Sequence, residues 1–290
     1  MTGISEQTGR LADFILAHPR LVVLTGAGIS MDSGIPAYRD LDGRWLPRPP
    51  IQERDFVREP ATRRRYWSRS WYGWPRMRDA QPNAGHRALA ELDRLGRVAL
   101  LNTQNVDGLQ EKAGSANVVD LHGRVDRVRC MHCDALHHRE RVQQMLDRDN
   151  DWPDITADAR RPDGDWHVPD ALAEHVVLPR CEACGGDLRA DVVFFGGSVP
   201  ARRVQACRDA VAHSDALLVV GSSLKVFSGF RFCRQARQLG KPIAIVNPGA
   251  TRGDELADTL LRTPAGPLLD AAAARLRGLS TASAAHTAAP

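Results

Sequence analysis

At 290 residues, 43% of them apolar and 26% charged, the chain can bury a large core and has the composition of an ordinary globular protein. Its 39 basic and 35 acidic residues leave a net charge of +4, which suits an anionic ligand but lacks the strong basic excess of a dedicated nucleic-acid binder. No apolar run reaches the length of a membrane span, and residues 1–7 carry neither part of a secretion signal, so a cytoplasmic location and no membrane partner are expected. Four of the six cysteines form two Cys-x-x-Cys pairs, which argues for a reducing compartment and a metal rather than a disulfide scaffold.

In chain order, Glu6 to His18 reads as a helix with Leu11, Phe14 and Ile15 on one face and Pro19 ending it. Leu21 to Leu24 is a short apolar run of the kind a strand buried on both faces shows. It leads into Gly26-Ala27-Gly28-Ile29-Ser30, where the glycines permit a sharp turn and a close approach to a ligand. Residues from Ile29 are expected to open a helical turn whose free N–H groups face an anion such as a pyrophosphate. A Rossmann fingerprint is incomplete, since its third glycine falls at Met31. Residues 41–80 break the pattern with many prolines and the Arg/aromatic run from Arg63 to Trp74, read as an amphipathic helix with snorkelling arginines. A helix capped by Asn83 carries His86, Leu89 and Leu92 and stops at Gly96. Strands follow at Val98 to Leu101 and Val118 to Leu121, the first ending in Gln104-Asn105-Val106-Asp107 and the second in His122-Gly123.

The alternation fails across 125–190 and then resumes. Val192 to Phe195 reads as a strand, Ala201 to His213 as a helix, Ala216 to Val220 as a strand, Phe230 to Leu239 as a helix and Ile243 to Val246 as a strand. The small, Ala-rich stretch 279–290 is expected to be disordered. Repeated strand–helix units predict an α/β fold: a doubly wound, Rossmann-like parallel sheet split between 1–124 and 191–278, with a smaller zinc-binding module inserted at 125–190. Ligands of such sheets collect at the carboxyl ends of the strands, where Gly26, Gln104, His122, Gly221 and Asn247 all fall.

Cys130, Cys133, Cys181 and Cys184 can present four thiolates tetrahedrally, which predicts a closed and therefore structural zinc site. Paired redox dithiols are the competing reading, but neither pair has a thioredoxin-like strand–helix setting. Cys207 and Cys233 fall in helix patterns and read as packed thiols. His122 is the candidate base, because an imidazole titrates near neutrality and this one stands at a strand tip beside the other polar tips. Gln104, Asn105 and Asp107 offer groups for a carboxamide and a ribose, or else satisfy their own turn.

These motifs, with Ser33-Gly34-Ile35-Pro36-Ala37-Tyr38-Arg39, Phe194-Phe195-Gly196, Gly221-Ser222-Ser223-Leu224 and Asn247, resemble in kind and order the sirtuins, the NAD-dependent protein deacylases, from about Leu21 to Leu269. Finer features, among them Gly73-Trp74-Pro75, Gln81-Pro82-Asn83, Pro162-Asp163-Gly164-Asp165 and Phe227-Ser228-Gly229, resemble the class II, sirtuin-four-like branch and its bacterial relatives. The resemblance implies NAD contacts from Gly26, Ala27, Gly28, Ile29, Ser30, Ser33, Pro36, Tyr38 and Arg39, and from Gln104, Asn105, Val106 and Asp107. Around the adenosine end it implies Gly221, Ser222, Ser223, Asn247, Pro248, Gly249 and Ala265. His122, with Asn105 and Gln104, would serve catalysis: nicotinamide leaves, the acyl oxygen of an acyl-lysine protein attacks the ribose, and His122 takes a ribose hydroxyl proton. Phe195, Gly196, Val226 and Phe227 would clamp the substrate peptide by strand addition.

Ala37 and Gly197 stand where many relatives carry an acidic residue, the first in the cofactor loop and the second in the peptide clamp. Tyr66 and Arg69 form a Tyr-x-x-Arg pair resembling the one class III sirtuins use to hold an acyl carboxylate; packing within the Arg/aromatic helix is the plainer reading. Mono-ADP-ribosyl transfer by the same fold is the second functional reading, and a zinc-containing nucleic-acid binder a distant third.

Overall fold

Leu21–Thr25 (β1) is buried along its whole length, as its unbroken apolar run requires of a central strand. In the computed structural model, which describes residues 3–37, 50–155 and 165–287, it is joined by Val98–Thr103 (β2), Val118–Asp120 (β3), Ala216–Val220 (β7), Ile243–Val246 (β8) and Thr259–Leu261 (β9). All pairings in this six-stranded sheet are parallel, in the order β3-β2-β1-β7-β8-β9. That order is doubly wound: the chain builds outward from β1 to β3, then returns to β1's other edge at β7.

Alternate residues of β1 feed two cores. Leu21 and Val23 face a cluster with Leu11 and Ile15 of Ile4–Ala17 (α1), Leu89 and Leu92 of Ala84–Arg94 (α4), and Leu268 and Leu269 of Ala265–Thr287 (α10). Val22 and Leu24 face a second, with Cys207 and Val211 of Ala201–His213 (α8) and Phe232, Cys233 and Ala236 of Phe227–Gln238 (α9). Each fully buried Leu or Val contributes about 1.5–3 kcal/mol, so these two layers hold the sheet rigid beneath its tips. Cys207 and Cys233 are fully buried, and burial pushes both thiols up to about 12, as packed and inert thiols should be.

The inserted module is a three-stranded antiparallel sheet in the order β5-β4-β6, formed by Gly123–Cys130 (β4), Leu136–His138 (β5) and Leu188–Val192 (β6). It docks on Pro60–Asp79 (α3) through Trp67, which is buried with Val128, Met145 and Leu188 and donates its indole N–H to the Leu188 carbonyl at 3.3 Å. Beside it the buried guanidinium of Arg139, from Arg139–Asp149 (α6), lies 5.5 Å from the Trp67 ring and 5.2 Å from that of Trp74, and donates to Ser70. Burial lowers this arginine to about 10.

Several elements differ from the sequence reading. The strand of this region is β6, Leu188–Val192, and Phe194 leaves the sheet to stack on Phe56 of Glu53–Arg58 (α2) at 4.6 Å. A run of bulky apolar residues serves an aromatic cluster as readily as a strand. Arg63 and Arg69 of α3 do not snorkel but are buried, at 8% and 5% exposure, because internal partners receive them. Arg63 donates to the Phe56 and Val57 carbonyls and pairs with Asp187 at 3.1 Å. Finally, α10 begins at Ala265, in a stretch to which the sequence reading assigns no element, and is anchored by Leu268 and Leu276. Residues 288–290 lie outside the described residues.

Candidate active site

Strand order reverses between β1 and β7, and at such a switch point doubly wound sheets form their ligand crevice, outside the carboxyl ends of the strands. Two loops meet there, and glycine is what lets them meet. The N–H of Gly26 donates to the Val220 carbonyl at 3.1 Å and that of Gly28 to the Gly221 carbonyl at 2.8 Å. A β-carbon at Gly28 falls 2.8 Å from the Gly221 oxygen, and one at Gly26 falls 2.7 Å from Cβ of Ser222. The close approach that these glycines serve is therefore loop to loop. After them the chain takes two single 3-10 turns, Ala27–Ile29 and Met31–Ser33, rather than an α-helix. Gly34 then turns it with a left-handed φ of 82°.

Behind this loop is a closed polar network. The side-chain amide of Asn105 donates to the Gly26 carbonyl at 3.1 Å and to Ser30 Oγ at 2.9 Å, and Ser30 Oγ donates to Asp107 at 2.7 Å. Nδ1 of the fully buried His86 accepts from the Asn83 backbone N–H, so Nε2 carries the proton and faces Ser30 Oγ at 3.4 Å. Asn83 caps α4, donates to the Ile29 carbonyl and to Ser33 Oγ, and so ties helix to loop. Burial raises the Asp107 carboxyl above its usual range, opposed by bonds from the Leu109 N–H and the Ser30 hydroxyl. Burial also holds His86 down at about 4. Val106 is buried beside them.

His122 stands at the tip of β3, half-buried. Its Nδ1 lies 2.8 Å from the Gln104 backbone carbonyl, which only accepts, so Nδ1 carries the proton and Nε2 is the basic nitrogen. Ser228 Oγ lies 2.8 Å from Nε2. Burial lowers this imidazole to about 4; the Gln104 bond opposes that, and the positive charges of Arg203 and Arg231 reinforce it. The ring is therefore neutral at physiological pH and able to accept a proton. Gln104 is held in turn, its Oε1 accepting from Ser222 Oγ at 2.6 Å.

The structure brings Gly26, Ala27, Gly28, Ile29, Ser30, Ser33, Gln104, Asn105, Asp107, Gly221 and Ser222 together around this crevice through these contacts. Asn247 at the tip of β8 bonds its own turn at the Gly249 carbonyl, past Pro248, while Ser223 joins the neighbouring loop by accepting from the Arg252 N–H. Ala265 is buried at the start of α10. Pro36 lies one residue before the end of the first described stretch, and Tyr38 and Arg39 fall outside the described residues.

On the far side, Val193 donates to the His122 carbonyl, and the chain continues through Phe195, whose carbonyl accepts from Glu53, to Gly196, with a left-handed φ of 77°. Val226 and Phe227 are exposed at the start of α9. Tyr66 lies in the aromatic cluster, 5.3 Å from both Phe56 and Phe194. Arg69 pairs with Asp165 at 3.5 Å beneath a small cavity of about 290 Å³ that Gln52, Thr62 and Arg65 also line. Two site contacts escape the sequence reading. Asn83-x-x-His86 has the spacing of a capping box, with His in place of Glu or Gln, and that pattern is the signal for the His86 contact. The Ser228 contact has no local signal, since 106 residues separate the partners.

In the module, Cys130 Sγ lies 3.5 Å from Cys184 Sγ and Cys133 Sγ 3.7 Å from Cys181 Sγ. All four sulfurs fall within 4.8 Å of one another. Four thiolates at ~2.3 Å from one tetrahedral Zn²⁺ stand about 3.8 Å apart, so the donor set and its spacing fit that ion and leave no open position.

The model of the Sir2 family matches residues 26–228. An NAD-dependent protein deacetylase of Xanthomonas campestris pv. campestris (strain 8004) is 51% identical over 258 residues, covering 88% of each chain. The NAD-dependent protein deacylase Sirt4 of Drosophila melanogaster is 45% identical over 269 residues, covering 92% of this chain and 86% of its own. Among solved structures, a Sir2–p53 peptide–NAD+ complex superposes with a TM-score of 0.73 at 26% identity, covering 94% of this chain and 98% of its own. Sequence and fold agree over nearly the whole molecule: the chain belongs to the Sir2 family.

Proposed function

We propose that the protein is an NAD-dependent protein lysine deacylase, transferring the acyl group of an acyl-lysine side chain to ADP-ribose and releasing nicotinamide. The observation that carries this reading is the tautomer of His122: Nδ1–H is anchored on the Gln104 carbonyl, leaving Nε2 as a neutral base at the mouth of the crevice. NAD, as the second substrate, supplies the ribose that accepts the acyl group. His122 takes the proton from a ribose hydroxyl, a contribution typically worth ~10²–10⁴ in rate. Gly26 and Gly28, whose own N–H groups are bonded to the Val220 and Gly221 carbonyls, shape the loop that borders the pyrophosphate, and Asn105 and Asp107 line the nicotinamide side, held in place by Ser30. An extended peptide adds as a strand between Phe195-Gly196 and Val226-Phe227 in this reading. Zinc on the four cysteines closes the module that carries β4 and β6 up to His122 and Val193.

Arg69 serves the fold in this reading, since Asp165 already engages it. The location proposed is cytoplasmic, in keeping with four thiols held for a metal and, among the described residues, no helix long and apolar enough to cross a membrane. The test is stoichiometric. With an acetyl-lysine peptide and NAD, nicotinamide and free lysine should appear one for one, and no nicotinamide should form without the peptide. Peptide-independent release would remove acyl transfer as the main reaction.

A further inference from the structure

We propose that Ser228 is a proton-relay residue, through which the ribose proton reaches His122. The relay rests on the deacylase reading. Because the Gln104 carbonyl holds Nδ1–H, the one in-plane lone pair of the ring is on Nε2, and Ser228 Oγ fills it at 2.8 Å as a donor. In this arrangement a proton has no direct path to Nε2. It moves in two linked steps: the ribose O–H bond breaks toward Ser228 Oγ while the Oγ–H proton passes to Nε2. The serine ends as it began, the imidazole becomes imidazolium, and the ribose oxygen is left as the nucleophile.

The hydroxyl is held for this task. Ser228 is only 9% exposed, in the first turn of α9. The next residue, Gly229, packs so closely on Gln104 that a β-carbon there would lie 2.6 Å from its Nε2. The start of α9 is thereby pinned to the same residue that anchors the His122 ring. The charges facing His122 are Arg203 of α8 and Arg231 of α9, and both disfavour the imidazolium. Ser228 Oγ, by accepting from Nε2–H once the proton has arrived, is the neighbour that stabilises it.

Exchange of labelled nicotinamide into NAD in the presence of acyl peptide reports the step before proton removal, whereas free lysine reports the steps after it. Ser228→Ala should lower lysine release on the order of tenfold or more, within the range of lost acid–base catalysis, with exchange and both KM values nearly unchanged. Ser228→Thr should restore release. Should the alanine variant not fold, Ser228→Cys, a weaker donor, should show the same split between exchange and release. The relay is overturned if Ser228→Ala or Ser228→Cys releases lysine like the parent, or if exchange and release fall together and threonine rescues neither. A parent inert toward NAD and peptide would instead overturn the deacylase reading and the relay with it; with an active parent, the split between exchange and release bears on Ser228 alone.

Discussion

Gly28→Ala should destabilise the folded protein even without NAD. The added β-carbon would meet three backbone atoms of Gly221: the oxygen at 2.8 Å, Cα at 3.0 Å and the carbonyl carbon at 3.1 Å. None belongs to a flexible side chain, so the loops must part. Overpacking of this kind costs about 1–3 kcal/mol. Parting the loops also weakens the Gly28 N–H to Gly221 bond, now 2.8 Å, worth roughly 0.5–1.5 kcal/mol. A total of about 2–4 kcal/mol corresponds to a fall in Tm of roughly 3–7 °C for a chain of this length. Gly34→Ala is the control. Gly34 has a φ of 82° with nothing within 4 Å of an added β-carbon, so its penalty is backbone strain alone, about 1–2 kcal/mol. Thermal melts of the two variants with and without NAD decide the matter: Gly28→Ala should melt lower and gain less from NAD. If Gly28→Ala melts with the parent, or Gly34→Ala is the less stable of the two, the interlocked loops are not what shapes the crevice.

Cys133→Ala should lose its zinc by elemental analysis and loosen the module, since metal binding to thiolates is coupled to folding; chelation that leaves the parent's melting curve unmoved would count against the site. His86 is held neutral at about 4 when folded, whereas an unfolded histidine titrates near 6.5, so the unfolded chain binds more protons between these values. The stability this provides is complete above about pH 6.5 and falls as pH drops toward 4, by roughly 2 kcal/mol near pH 5. His86→Gln keeps a capping side chain and removes the titration, so urea melts should show a smaller acid loss in the variant; an unchanged loss would refute this. Arg69→Met should strip Asp165 of its buried partner, costing roughly 1–3 kcal/mol, and lower kcat/KM on acidic-acyl and acetyl peptides alike. A much larger loss on the acidic-acyl peptide would instead make Arg69 a reader of the acyl carboxylate.

The parts of the fold legible in the sequence are those whose burial leaves a local mark. Leu21 to Leu24, Ala216 to Val220 and Ile243 to Val246 are buried on both faces and so read as unbroken apolar runs. The edge strand Thr259–Leu261 has only Leu261 buried and leaves no run to read. Val192 to Phe195 is misleading because Phe194 fills a cluster with Phe56 and Tyr66 instead of a sheet. Arginines in a helix normally mark its wet face; those at 63 and 69 are internal because Asp187 and Asp165, far along the chain, come back to meet them. In the site, Gly26 and Gly28 are visible from sequence, but their service to a second loop is a tertiary fact. His122 is visible as a polar residue at a strand tip, while its tautomer depends on one carbonyl and one distant serine.

If His122 acts as the base in acyl transfer from lysine to ADP-ribose, the mass of the NAD-derived product reports it. With an acetyl-lysine peptide, parent protein should yield deacetylated peptide and an ADP-ribose product heavier by one acetyl group. His122→Ala should bind NAD while forming that product slower by ~10²–10⁴. A peptide that keeps its acetyl group and gains the mass of ADP-ribose, or a His122→Ala variant as active as the parent, would contradict that role.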